Sequence, residues 1–250
     1  MERSDDDKLL LRIQQRFNKA CADYALIEEG DRILVGVSGG KDSLALLELM
    51  GRRAQILKPH FEVEALHVSM ANIPYDADVD YLRAEADRVG VRLHHCTAQF
   101  DASTDKRHTP CFLCSWNRRK AMFEKAKELH CNKIALGHHM DDILVTLLMN
   151  MTFQGAYGTM PPKLVMDKFD MTVIRPLCRV EEADLARMAE LRGYRQTVRD
   201  CPYEDASHRS AMKHVLDELV QMNPEARYSL WGAMTNVQTT LLPPVVETKK

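Results

Sequence analysis

Apolar positions recur along this chain in two rhythms. Residues 8–27 carry Leu10, Ile13, Phe17, Cys21 and Tyr24 at steps of three and four, the stripe of an amphipathic helix, and Gly30 suits its C-terminal end. A short apolar run, Arg32–Val37, reads as a strand and leaves through two glycines into a helix from about Asp42 to Leu57. Phe61–Val68 alternates as a strand does. Val79–Val89 predicts a helix stopped by Gly90, and Val91–Cys96 a short strand. After a loop over 97–110, the pattern predicts a helix from about Phe112 to Leu129, a strand Lys133–Leu136 and a helix Asp141–Phe153. Gly155, Gly158, Pro161 and Pro162 mark a long loop. Met171–Arg175 reads as a strand closed by Pro176, Glu181–Arg192 as a helix, and Tyr194–Val198 as a further strand. Helices over about 208–222 and 224–238 and a tail from Leu242 complete the pattern.

Strand and helix thus alternate at least five times, which predicts an α/β fold with a parallel sheet and helices on both faces. The expected organisation is an N-terminal helical segment over 1–29, a nucleotide-binding domain over 30–222 and a C-terminal helix and tail over 223–250. Ligands on such sheets sit at the carboxyl ends of strands. There, after Val37, stands Ser38-Gly39-Gly40-Lys41-Asp42-Ser43. Two glycines permit positive φ and close approach of a ligand to backbone. The N–H groups of a turn entering a helix favour an anion; Lys41 adds a point charge, and Asp42 is suited to Mg²⁺ that bridges phosphate oxygens. The spacing is neither GxxxxGK[ST] nor GxGxxG. A second cluster, Gly137-His138-His139-Met140-Asp141-Asp142, follows the Lys133–Leu136 strand, and its carboxylates can cap a helix or hold a metal facing those phosphates.

A length of 250 residues suffices for one large α/β domain or two small ones. No apolar run approaches the ~20 residues of a membrane helix, and the first ten residues have no signal-peptide core, so the expected location is the cytoplasm. Seven cysteines there would stay reduced and favour a metal or cofactor site over disulfides. Cys111 and Cys114 share a face at a helix start that is followed by Arg118, Arg119 and Lys120, an environment that favours thiolate. With Cys201 they form a set of three, enough for an iron–sulfur cluster with one iron open; a persulfide-forming redox pair and zinc are the alternatives. Cys21, Cys96, Cys131 and Cys178 stand among apolar neighbours as structural thiols. Net charge is only −2, yet residues 106–133 hold eight Lys/Arg against Glu124 and Glu128; that is either a phosphate-contacting patch or a solvated helix face with compensating acids, and charge alone favours the solvated face.

The hexamer SGGKDS resembles the pyrophosphate loop of the PP-loop ATP pyrophosphatases, and GHHMDD resembles their second motif. The resemblance implies cleavage of ATP between the α and β phosphates. It puts Ser38, Gly39, Gly40, Lys41, Asp42 and Ser43 on phosphate, Gly137, His138, Asp141 and Asp142 on phosphate and Mg²⁺, and His67 and Val68 on adenine. Further strings, CFLCSWNRR, KIALGHHMDDI, NMTFQGAYGTMPPKL, VIRPL and DCP, resemble the tRNA 2-thiocytidine synthetase family in one order over roughly residues 10–240. That resemblance implies a [4Fe-4S] cluster held by Cys111, Cys114 and Cys201, with tRNA as substrate. It also implies a sulfur donor, either a cysteine desulfurase or free sulfide, and a homodimer. Lys41, Asp42, Asp142 and the three cysteines would carry the catalysis. The base oxygen would become an adenylate, and sulfur on the open iron would displace AMP. His108, Arg118, Arg119, Lys163, Arg175 and Arg209 are candidates for tRNA phosphate contact. One departure stands out: the family's second CxxC survives only as Cys201-Pro202-Tyr203-Glu204, with Glu204 placed to cap either the open iron or the helix, the helix cap being preferred. An amine-adding PP-loop ligase and a nucleotide- or metal-binding regulator are the rival readings.

Overall fold

The computed structural model describes residues 4–56, 58–71, 77–100, 109–167, 169–195 and 208–243. Helix α1 (Asp5–Asp23) opens on a reciprocal cap between Ser4 and Asp7 and buries Leu9, Ile13, Phe17, Ala20 and Cys21. Strand β1 (Arg32–Gly36) leads into α2 (Lys41–Ala54), β2 (Glu62–Met70), α3 (Val79–Arg88), β3 (Arg92–Ala98) and α4 (Pro110–Glu128). There follow β4 (Lys133–Ala135), α5 (Met140–Gln154), β5 (Lys163–Met166), β6 (Met171–Ile174), α6 (Glu182–Arg192), α7 (His208–Met222) and α8 (Ala226–Ala233). The six strands form one sheet in the order β3-β2-β1-β4-β6-β5. All neighbouring pairs are parallel except β5 with β6.

The sheet is buried on both faces, which is why its central strands are continuous apolar runs. Successive β1 side chains point opposite ways. Ile33 and Val35 join a core with α1, α2 and α6, whereas Leu34 packs with Ile134, Leu66 and Ala126 of α4. A third cluster joins α5, through Met140, Leu144 and Val145, to Leu216 of α7 and Leu230 of α8. Among the described residues no helix is long and apolar enough to cross a membrane.

Two expectations need correction. The long loop after Gly155 contains β5, an antiparallel edge strand. Tyr194 and Arg195 are not in a strand, and residues 196–198 lie outside the described residues. Tyr194 is instead buried with its hydroxyl donating to Glu48 at 2.7 Å.

Glu48 ties the helices around α2 together. Its carboxylate, 2% exposed, also accepts from Arg192 of α6 at 3.0 Å, from Arg88 of α3 at 3.1 Å and pairs with Arg52 at 2.8 Å. Burial opposes its ionisation, but the Tyr194 hydrogen bond and the guanidinium groups outweigh that and hold the carboxyl below its ordinary value. The unfolded chain therefore takes up the proton first. The stabilisation is complete above the ordinary Glu range of about 4 and is lost as pH falls through the lower folded value. Replacing Glu48 by Gln removes the buried anion that three part-exposed guanidinium groups share and should cost about 1–2 kcal/mol at neutral pH, less than a fully buried pair because solvent screens the cations. The loss should shrink as pH falls below about 4, because the wild type then loses the same charge. Urea denaturation of both proteins across that range measures it.

Candidate functional site

The site is built where β1 and β4 end level, in the register Val35↔Ala135, beside β2, which pairs at Val35↔Ala65 and runs on to Met70. Beyond β1 the chain turns at Gly39, whose φ of +87° lies in the left-handed region that favours glycine. Ser43 then locks the turn: its hydroxyl donates to the Gly40 carbonyl at 2.8 Å and accepts the Ser38 N–H at 3.1 Å. Helix α2 starts at Gly40 with no side-chain cap, so the positive end of its dipole faces the turn. Beyond β4, His139 caps α5, its Nδ1 accepting the Asp142 N–H at 3.4 Å while Asp142 accepts the His139 N–H at 3.2 Å. The two turns touch at Gly137. A β-carbon there would lie 3.1 Å from the Asp42 carbonyl oxygen and 3.2 Å from the Ser43 nitrogen, both backbone atoms.

Between the turns lies a cavity of about 340 Å³. Ser38, Gly40, Asp42, Ser43, His67, Val68, Gly137, His138 and Asp142 all line it, so residues beyond the ends of β1 and β4 meet His67 and Val68 of β2. Arg118 and Met122 of α4 close another wall. His67 is buried, its Nδ1–H donating to the Val37 carbonyl at 2.8 Å, and burial lowers its pKa. Burial also outweighs the attraction of Asp142 to bring His138 down to about 4, with Arg175 and Arg209 adding to the shift. His138 is therefore neutral at pH 7, and its Nδ1 is buried with no hydrogen-bond partner among the described residues, an atom a bound ligand can satisfy. The two carboxylates are driven apart. Burial raises the Asp42 pKa against the pull of His139 and Lys41, whereas His139 and Arg209 overcome burial and lower that of Asp142.

Two predicted residues are placed elsewhere. The Lys41 ammonium turns toward α6, 3.1 Å from Glu182 and 3.2 Å from Asp42. Asp141, expected on the ligand, is buried away from this cavity: it accepts the Glu182 N–H at 2.9 Å, which starts α6, and pairs with Arg227 of α8 at 2.7 Å. Adjacent helical side chains diverge by about 100°, which separates it from Asp142.

Cys111 is exposed and Cys114 half-buried in the first turns of α4, which Thr109 caps through the Phe112 N–H and Pro110 enters. Cys201, the third expected thiolate, lies outside the described residues, as do His108 and Glu204. The solitary cysteines are buried or half-buried, and burial pushes Cys21 and Cys178 up to about 12, Cys131 up to about 11 and Cys96 upward, as inert thiols should be. Of the candidates for RNA phosphate, Arg175 is buried and donates to the Pro161 carbonyl at 2.6 Å. Lys163 is held by the Ala25 carbonyl and Glu28. Both thus have internal partners. Arg209 reaches Asp142 at 2.5 Å, and exposed Arg119 bonds to Ser115. Glu182 and Lys213, which pair with each other at 2.5 Å, were not expected here. No local motif announces them.

Sheet order, glycine turn and facing carboxylates together define a PP-loop protein, and the PP-loop domain family matches residues 9–218. The tRNA-cytidine(32) 2-sulfurtransferase of Syntrophotalea carbinolica is 39% identical over 240 residues, 93% of this chain and 92% of that protein. That of Geotalea daltonii is 36% identical over 93% of this chain and 94% of its own length. A U34-tRNA thiolase, NcsA from Methanococcus maripaludis with its [4Fe-4S] cluster, shares the fold at a TM-score of 0.74 and 22% identity, over 95% of this chain and 81% of that one. The chain belongs to the PP-loop family and, within it, to the tRNA-cytidine 2-sulfurtransferases.

The Gly137 contact generates a test. Gly137→Ala forces either the α2 backbone or the second turn to move by a few tenths of an ångström. It should cost about 1–3 kcal/mol by thermal denaturation, the range for overpacking a site that cannot yield.

Proposed function

We propose that this chain adenylates a cytidine of tRNA with ATP and exchanges its 2-oxygen for sulfur, acting in the cytoplasm. By the naming of its relatives the target is cytidine 32. One observation carries the reading: Arg118, which lines the cavity, stands one helical turn beyond Cys114 on the same face of α4, and Cys111 stands one turn before it. The thiols therefore rise from the helix that walls the cavity built by the SGGKDS and GHHMDD turns.

In this reading the N–H groups and hydroxyls from Ser38 to Ser43, with the α2 dipole, hold the triphosphate. Asp42 and Asp142 are the oxygen donors for Mg²⁺, an ion that takes one or two carboxylates along with phosphate. Backbone and ring at His67 and Val68 bound the end of the cavity suited to the adenine. His138, kept neutral, donates or accepts one hydrogen bond without adding charge. The cytidine O2 attacks the α-phosphate, forming an O–P bond as pyrophosphate leaves. A sulfur nucleophile then adds at C2, and the C2–O bond breaks with AMP as leaving group, so the base oxygen departs in AMP. The target base must leave its stack or lie in a loop to reach these groups. Cys111 and Cys114, as soft thiolates at a helix start, fit an iron–sulfur cluster, with Cys201 as its third ligand. When bound, such a cluster supplies an iron able to hold inorganic sulfur. The donor behind it is a cysteine desulfurase or free sulfide.

An amine-adding ligase needs no thiolates, and a regulator without turnover releases no pyrophosphate. Purified protein with ATP, tRNA and sulfide should therefore release pyrophosphate and yield 2-thiocytidine on nucleoside mass spectrometry. Lys41→Ala should lower both by about two orders of magnitude, the cost of losing a charge that stabilises the transition state. Cys111→Ser and Cys114→Ser should retain pyrophosphate release and lose 2-thiocytidine. Thiolation that persists in either cysteine variant would overturn the assignment.

A further inference from the structure

Helix α4 lines two cavities from opposite sides. Arg118 and Met122 stand in the wall of the main one. Trp116, Lys120, Phe123 and Lys127, spaced four, three and four, form a second stripe. Two residues along a helix turn about 200°, so Trp116 faces away from Arg118. The stripe walls a groove of about 980 Å³, whose other side is built by Met166, Asp167, Phe169, Asp170 and Met171 where β5 turns into β6. Apolar rings meet across it: Phe123 and Phe169 have centroids 5.4 Å apart. The Lys120 ammonium lies 5.8 Å from the centre of the Trp116 ring. Trp116 is 49% exposed and Phe169 59% exposed. A single exposed aromatic is ordinary, but two sharing one groove form a contiguous patch, which marks an interaction site. Trp and Phe are enriched in protein–protein interfaces.

The charges decide which partner fits. Among the described residues the groove is lined by three cations, Arg119, Lys120 and Lys127, and three carboxylates, Glu124, Asp167 and Asp170. A polyanion such as RNA would meet as much repulsion as attraction there. The signs are nevertheless separated in space. Lys120 and Glu124 lie 3.9 Å apart within α4. That leaves Arg119 and Lys127 on the α4 side and Asp167 and Asp170 on the side of the turn. An apolar centre between a cationic and an anionic rim is complementary to itself. In a contact about a two-fold axis residue i meets j while j meets i, so the turn of one copy faces α4 of the other. We infer that this groove is the interface between two copies of the chain. Trp116 and Phe169 are its apolar anchors, and Arg119 and Lys127 face the partner's Asp167 and Asp170. The family resemblance implies a homodimer but no surface for it. The inference stands apart from the chemistry of the main cavity, yet it bears on it mechanically. The partner braces the outer side of the helix whose inner side carries Arg118 and Met122 and whose first turns carry Cys111 and Cys114.

Sedimentation velocity of the full chain at micromolar concentration tests this. The wild type should sediment at twice the chain mass. Trp116→Ala should weaken dimerisation about tenfold or more, the loss of an interface anchor. Reversing one rim with Arg119→Asp and Lys127→Asp, or the other with Asp167→Lys and Asp170→Lys, should give monomers, because like charges then face each other. An equimolar mixture of these two double variants should dimerise again, since both contacts of the mixed pair bring opposite signs together. That rescue separates a lost interface from lost folding. A wild type that stays monomeric overturns the interface, as do double variants that remain dimers or a mixture that stays monomeric. A monomer whose affinity for tRNA falls in Trp116→Ala assigns the groove to RNA instead.

Discussion

The turn after β4 comes so close to the backbone at the start of α2 that a β-carbon at position 137 would lie 3.1 Å from the Asp42 carbonyl oxygen, a contact that glycine avoids and that any other residue would relieve only by shifting the backbone. Two chain reversals 99 residues apart in sequence (38 and 137) thereby become one surface. Parallel pairing of β1 with β4 brings their ends level, and the close approach at Gly137 closes the gap between the two turns. With the gap closed, Asp42 and Asp142 face one cavity, and the starts of α2 and α5 aim at the same volume. The start of α2, which has no side-chain cap, adds a partial positive charge to that volume, whereas the start of α5 is capped by His139 and Asp142.

Ion pairs link the elements around this contact. At the far end of the strands, Lys133 is 4% exposed and held by Asp31 at 2.7 Å, Glu28 at 2.6 Å and the Leu26 carbonyl at 3.2 Å. That ties the entry of β4 to the loop between α1 and β1. Helix α1 reaches across to α6, with Arg12 on Asp184 at 2.7 Å and Arg16 on Glu181 at 2.8 Å. Those partners flank Glu182, the residue that holds Lys41. The Lys133–Asp31 pair tolerates little displacement, because breaking it strands a charge in low dielectric. The α1–α6 pairs are part-exposed and link the N-terminal helix to the helix whose Glu182 holds Lys41.

Much of this was legible in the sequence because the signals were local. Ser38 to Ser43 declared a turn and an anion cradle by residue type alone, and the apolar rhythm placed most strands and helices. What escaped was decided at a distance. Lys163–Met166 has three apolar residues out of four but is largely solvent-facing. It pairs because the edge of β6 was open, and no period-2 pattern marks it. The aromatic start of Tyr194–Val198 suggested a strand, yet the Tyr194 hydroxyl is drawn 146 positions back to Glu48. Asp141 and Asp142 are chemically identical, and only the orientation of α5 shows that one caps α6 and the other faces the cavity. Glu182 and Lys41 are separated by 141 positions, so nothing near either one announces the pair.

The charge pattern of the site also explains the state of its histidine. His138 sits next to an anionic Asp142, which alone would favour imidazolium. Burial and the cations Arg175 and Arg209 prevail, and the ring stays neutral. A ring that gained charge near pH 7 would make phosphate affinity swing with small changes in acidity. Here the positive charge resides on Lys41, Arg209 and Lys213, side chains of types that stay protonated far above neutrality. The His138 ring thus stays neutral across the physiological range, and the charge it would otherwise add is carried by side chains that do not titrate there.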